Sequence, residues 1–148
     1  MENLELIFED IRVRDIDTIF KFLKFDEHNI KNSHFFLDNA DVEYADISSF
    51  TNYFKTSGTC NILISRLDLA IEVTDVLIII SFDEVFGDMT LNFSEANWEK
   101  NDLTEEKKIE LVKDKLKQIT NEINYKAIIF GYEPADEENM QLINIENK

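Results

Sequence analysis

The chain has 148 residues, 44% of them apolar and twelve of them Phe, with only three Gly and one Pro. That is enough material for one domain with one core, residues 1–148, and it excludes a chain disordered over most of its length. A formal net charge of −16 speaks against binding nucleic acid or anionic membranes, both of which call for cationic patches.

Residues 3–13 carry Leu4, Leu6, Phe8, Ile11 and Val13, which read as a strand broken near Asp10. No basic region followed by an apolar stretch opens the chain, so no signal peptide is expected and the cytoplasm is the default compartment. Ile16, Ile19, Phe20 and Leu23 recur at helical spacing and predict a helix over about 15–25, with Phe22 beside the stripe. A polar loop follows at 26–33, then a short strand at His34–Leu37. Asp46 before Ile47, Phe50 and Phe54 reads as the N-cap of a short helix, which Gly58 would end in a left-handed conformation.

The middle of the chain reads as sheet. Leu67, Leu69, Ile71 and Val73 alternate with Asp68, Ala70 and Glu72, a period of two. Residues 76–82 are almost wholly apolar, and Met89, Leu91 and Phe93 alternate with polar residues. Short connections at 74–75 and 83–87 predict an antiparallel meander. The clearest helix is 104–123, capped by Asp102 or Thr104, with Ile109, Val112, Leu116, Ile119 and Ile123 on one face. That stripe either covers the chain's own sheet or forms a dimer seam, so a monomer or a weak homodimer is expected. Strands at 125–130 and 140–145 close the chain. The expected class is α+β, a mainly antiparallel sheet of five or six strands with two or three helices packed on it.

Catalytic and cofactor signals are missing. The glycines at 58, 87 and 131 form no phosphate loop, and there is no Gly-x-Ser-x-Gly, Cys-x-x-Cys or His-Glu-x-x-His. His28, His34 and Cys60 make no local nucleophile pair, and Cys60 reads as a small buried hydrophobe. Asp83-Glu84 and Asp136-Glu137-Glu138 lack the alternation of an EF-hand loop. The expectation is no enzyme, no cofactor and no metal.

Charge placement points to binding. Residues 104–123 hold five Lys and five acids and are neutral, so the excess lies elsewhere. From Leu67 to Glu99 there are eight acids and no base, among them Asp68, Glu72, Asp83, Glu84, Asp88 and Glu95. A second cluster, Glu133, Asp136, Glu137 and Glu138, follows Gly131. Such a surface attracts cationic partners and speeds their encounter. Trp98, the single Trp, either anchors an interface or closes the end of the core with its N–H bonded to backbone. Tyr132 and Glu133 stand beside the turn residues Gly131 and Pro134 and are candidate contacts. All twelve of these residues, from Asp68 to Glu138, form the candidate partner-binding set.

The base-free segment Leu67–Trp98 and the ending Ile128-Ile129-Phe130-Gly131-Tyr132-Glu133-Pro134-Ala135 resemble those of immunity proteins of bacterial toxin systems. The resemblance implies a small cytoplasmic α+β protein that neutralises a cognate toxin by tight binding. It also implies a cationic toxin, with a basic nuclease domain as the first guess. Two other readings stay open: an acidic adaptor or regulatory domain, and a DNA mimic that blocks a defence nuclease.

Overall fold

A computed structural model describes residues 2–37, 40–55, 57–83, 85–98 and 102–147, with the side chains of 37, 40 and 41 left aside. The elements in chain order are β1 (Asn3–Arg12), α1 (Val13–Phe22), β2 (Ile30–Leu37), β3 (Ala40–Val42), α2 (Phe50–Tyr53) and β4 (Gly58–Asp68). They continue with β5 (Glu72–Phe82), β6 (Phe86–Ser94), α3 (Glu95–Trp98), α4 (Glu105–Ile119), β7 (Ala127–Tyr132) and β8 (Gln141–Glu146). The strands form one sheet in the order β3-β2-β4-β5-β6-β1-β7-β8, every neighbouring pair antiparallel. The α+β class with an antiparallel sheet and helices packed on it therefore holds, and eight strands take part among the described residues.

Period-two patterning decides which face is covered. Leu4, Leu6 and Phe8 of β1, Cys60, Ile62 and Ile64 of β4, and Val76, Ile78 and Ile80 of β5 are fully buried. So are Met89 and Leu91 of β6 and Ile128 and Phe130 of β7. These side chains share one core with Ile16, Ile19 and Phe20 of α1, Phe50 of α2, Trp98 of α3 and Val112, Leu116 and Ile119 of α4. The four α-helices among the described residues thus lie on one face of the sheet. Val112, Leu116 and Ile119 of the α4 stripe are fully buried in this core, and Ile109 packs against it partly exposed. Thr104 is the N-cap of α4, its Oγ1 accepting from Lys107 N at 3.2 Å.

The break near Asp10 is a bulge. The β1–β6 register shifts between Phe8 and Ile11, and Asp10 takes φ 50° while its N–H donates to Asp88 Oδ1 at 2.9 Å. Gly131 is required by close approach, since a Cβ there would stand 2.2 Å from the carbonyl oxygen of Met140.

Four local expectations are corrected. The alternation at 67–73 spans the β4–β5 hairpin, not a strand: Leu69 N donates to Ile71 O at 3.0 Å, and Ala70 has φ 70° with its N–H on Asp68 Oδ1. Leu69 and Ile71 are buried all the same, so the pattern reported burial but not backbone path. Residues 74–75 consequently lie within β5 rather than in a connection. Asp46 ends a short 3₁₀ turn, Tyr44–Asp46, and the cap of α2 is Ser49, whose side chain accepts from Asn52 N. Gly58 begins β4 and does not adopt positive φ; its small size serves the fit against Tyr53, whose ring would stand 3.3 Å from a Cβ at this position.

Candidate functional site: an acidic, helix-free sheet face

The second face of the sheet carries no helix among the described residues. Along β1, Glu5, Ile7 and Glu9 alternate with the buried Leu4, Leu6 and Phe8 and so point to it. Strand register extends this face in rows. One row runs Asn32, Leu63, Leu77, Asn92, Glu5 and Gly131, and the next runs His34, Asn61, Ile79, Thr90, Ile7 and Ile129.

The segment after β7 folds back over the β1–β7 part of this face. Ala135 is fully buried against Ala127 and Ile129, with Ile7 packed beside them, in a small cluster separate from the main core. Backbone and side-chain bonds hold the segment: Glu133 N donates to Asn3 O at 3.0 Å, Asn3 Nδ2 to Glu133 Oε2 at 3.2 Å, and Ala135 N to Glu5 Oε1 at 3.1 Å. This brings acids from β1, β6 and the loop together. Burial raises the Glu5 carboxyl above its ordinary value; the Ala135 N–H opposes that, and Glu133 and Asp136 reinforce it. Burial also raises Glu9, against the pull of Lys126 and with the repulsion of Asp88, Asp10 and Asp136. Asp136 thus acts on both glutamates.

Of the candidate residues, Asp88, Glu133 and Asp136 belong to this patch. Asp68 and Glu72 face each other across the β4–β5 hairpin. Burial would raise Asp68, but Lys115 Nζ at 3.2 Å, the Ala70 N–H and Lys24 together hold it below the usual carboxylate range. Asp83 accepts from Val85 N and Phe86 N and shapes the β5–β6 turn, bonds that keep its carboxyl low. Tyr132 donates its hydroxyl to Glu105 Oε1 at 2.9 Å; burial, then Glu105 and Glu95, push that hydroxyl above its ordinary value. Glu95 therefore stands with Tyr132 and Glu105 rather than in the patch. Glu137 and Glu138 are exposed on the loop before β8. Glu84 lies outside the described residues.

Trp98 is 1% exposed and packs on Phe130, so it closes the core end and no partner reaches it. The bond at this residue is made by its carbonyl rather than its indole N–H, the oxygen accepting from the buried Lys108 Nζ at 3.1 Å. That ammonium stands 4.8 Å from the ring centroid. Tyr53 likewise acts within the fold: its hydroxyl shares its single proton between Phe36 O and Thr59 O, tying β2 to β4. Glu5, Glu9 and Asp10 are functional candidates that the sequence reading omits. Their signal was present in the alternation of Glu5 and Glu9 with buried leucines and a phenylalanine; the long-range pairing that sets β1 between β6 and β7 was not.

A model of the PABL017 Cdi1I immunity protein family matches residues 2–148. The chain belongs to that family. No curated protein matches. Among solved structures, the chain resembles one in the crystal structure of the toxic C-terminal tip of CdiA from Pseudomonas aeruginosa in complex with immune protein. The TM-score is 0.71 at 18% identity, over 97% of this chain and 94% of that one, a likeness of fold. The immunity-protein class expected from the sequence is thereby established: the chain acts to neutralise a cognate bacterial toxin. No helix among the described residues is long and apolar enough to cross a membrane.

The raised Glu5 gives a stability test. A glutamate whose folded pKa lies above its unfolded value, about 4.3, favours the fold below that value and loses this contribution as pH rises through the folded pKa. At pH 7 its charge is therefore a burden. Glu5→Gln keeps an acceptor for Ala135 N and is expected to stabilise the fold slightly at pH 7, by well under ~1 kcal/mol because the group is partly in water, and so to raise the melting temperature slightly. The difference should close near pH 4. A lower melting temperature at pH 7 would show that the patch is not under electrostatic strain.

Proposed function

We propose that this immunity protein neutralises its toxin as a stoichiometric inhibitor, without catalysis, by laying the acidic sheet face over a cationic surface of the toxin. The observation that carries the reading is the convergence of Glu5, Glu9, Asp88, Glu133 and Asp136 on a face that no described helix covers, with Glu5 and Glu9 held above their ordinary pKa. Burial, reinforced by the neighbouring carboxylates, raises Glu5 and Glu9, and a lysine or arginine placed beside them favours their charged forms.

A nuclease-type toxin fits this face best. Such a domain grips phosphates with Lys and Arg, and an acidic cover takes the same groups. The cytoplasm is the compartment in which a toxin of that kind finds its substrate. A net charge of −16 opposes pairing of two copies, so the inhibitor works as a monomer.

The test is binding of the cognate toxin domain, inactivated in its own active site, over a range of salt. Screening shortens electrostatic reach from about 10 Å at 0.1 M to about 3 Å at 1 M. The association rate is expected to fall at least tenfold over that range while the dissociation rate changes far less. An association rate indifferent to salt would overturn the acidic-face reading.

A further inference from the structure

The acidic patch occupies only the β6-β1-β7 part of the helix-free face. The neighbouring part, across β2, β4 and β5, has a different character. Leu63 and Leu77 are direct cross-strand partners, and Ile79 lies one step along β5 on the same face. Each is partly exposed, and none packs into either apolar cluster of the fold. Phe36 of β2 is 45% exposed, with its ring centroid 4.4 Å from that of His34. Together they border a shallow depression of about 280 Å³, lined by Asn32, His34, Phe36, Asn61, Leu63 and Leu77. Its backbone frame is fixed, because the Tyr53 hydroxyl bonds the carbonyls of Phe36 and Thr59 from the opposite side.

We propose that this depression is the anchor subsite of the toxin interface, and that it receives a large apolar or aromatic side chain standing beside the toxin's basic surface. The inference rests on the acidic-face reading and adds a division of labour to it. The acids govern encounter, and the apolar subsite governs residence time. Two features choose this occupant. The subsite is continuous with the acidic patch: Leu77 is paired with Asn92 and Asn92 with Glu5, so only Asn92 stands between leucine and glutamate along that row. And a second copy of this chain would bring its own acids against Glu5, Glu9 and Asp136, which repulsion opposes. A partner whose apolar knob is flanked by cations satisfies both halves at once. Its side chain would be desolvated between Leu63, Leu77 and Phe36, the environment in which interface anchors contribute most.

The experiment compares Leu77→Lys and Leu63→Lys with the wild type, using the full chain and the inactivated cognate toxin domain. Both positions are on the face away from the core, so folding is checked by circular dichroism and melting. Dissociation is expected to accelerate at least thirtyfold, with the association rate within threefold of wild type. Phe36→Ala, which adds no charge, is expected to accelerate dissociation at least fivefold. Unchanged dissociation in all three variants, while Glu133→Lys still slows association, would overturn the anchor subsite and leave the acidic-face reading standing. Unchanged association in Glu133→Lys would count against that reading separately. A concentration-dependent dimer of the wild type in sedimentation, abolished by Leu77→Lys, would assign the subsite to a second copy and overturn the proposal.

Discussion

Reversing two charges, Glu133→Lys with Asp136→Lys, is expected to weaken toxin binding at least a hundredfold while the chain remains folded. Both residues are exposed on the segment that crosses β1 and β7, and Ala135 between them supplies the packing that holds it there. The reversal replaces two acceptors for toxin cations by two like charges, and like-charge juxtaposition in an interface costs several kcal/mol. A hundredfold loss corresponds to only about 2.7 kcal/mol. The free protein should not suffer. Asp136 raises Glu5 and Glu9 by repulsion, so a lysine there relieves both. Loss of the Asn3 Nδ2 bond to Glu133 is a small exposed cost. The measurement is a pair: toxin affinity at ~0.1 M salt, and a melting curve of the free variant. Weak binding with an intact melting curve fits an acidic docking face. Wild-type affinity with an intact fold would move the interface away from this loop.

The helix stripes and the covered sheet positions were legible because burial imposes a period on the sequence. Ile16, Ile19 and Phe20 in α1, Val112, Leu116 and Ile119 in α4, and Met89, Leu91 and Phe93 in β6 all sit in the core as their spacing requires. Turn chemistry was less legible. Leu67 to Val73 alternates without a glycine, asparagine or proline to mark the hairpin, and Asp68 makes the turn by bonding Ala70 N. Of β4 only its last two residues, Leu67 and Asp68, fall in an expected strand, although Cys60, Ile62 and Ile64 alternate before them. The acidic site was half legible. Asp88, Glu133 and Asp136 stand out as acids in base-poor segments, whereas nothing local marks Glu5 and Glu9 in an N-terminal strand. What unites them is the placement of β1 between β6 and β7, where Leu6 pairs with Leu91 on one side and Phe130 on the other. Such pairings join residues more than eighty positions apart, and no local pattern encodes them. Asp68 shows the converse limit. It lies in the same base-free stretch, yet Lys115 and Lys24 from other parts of the chain neutralise it.

Asp15→Ala is expected to destabilise the fold by about 2–4 kcal/mol, with a melting temperature lower by several degrees. Asp15 is 3% exposed, one of only two buried charged side chains among the described residues, and it serves two elements at once. Its Oδ2 accepts from Arg12 N at 3.1 Å, closing the first turn of α1 as it leaves β1. The same oxygen accepts from Asn124 N at 3.2 Å, which pins the turn between α4 and β7 to the start of α1. Alanine leaves both N–H groups without that acceptor in partly buried surroundings, and each unsatisfied donor costs roughly 1–3 kcal/mol. Asp15→Asn should recover part of the loss, since its amide oxygen can still accept. The check is denaturant unfolding of wild type, Asp15→Ala and Asp15→Asn, with the slope against denaturant held constant as evidence that one transition is compared. A loss below ~1 kcal/mol for alanine would mean that water replaces the carboxylate and that the α1–α4 junction does not depend on it. Toxin affinity at a temperature where both variants are folded should stay near wild type, because Asp15 lies on the helical side of the sheet and the acidic face on the other. That separation of stability from binding distinguishes a core carboxylate from those of Glu133 and Asp136, whose reversal should do the opposite.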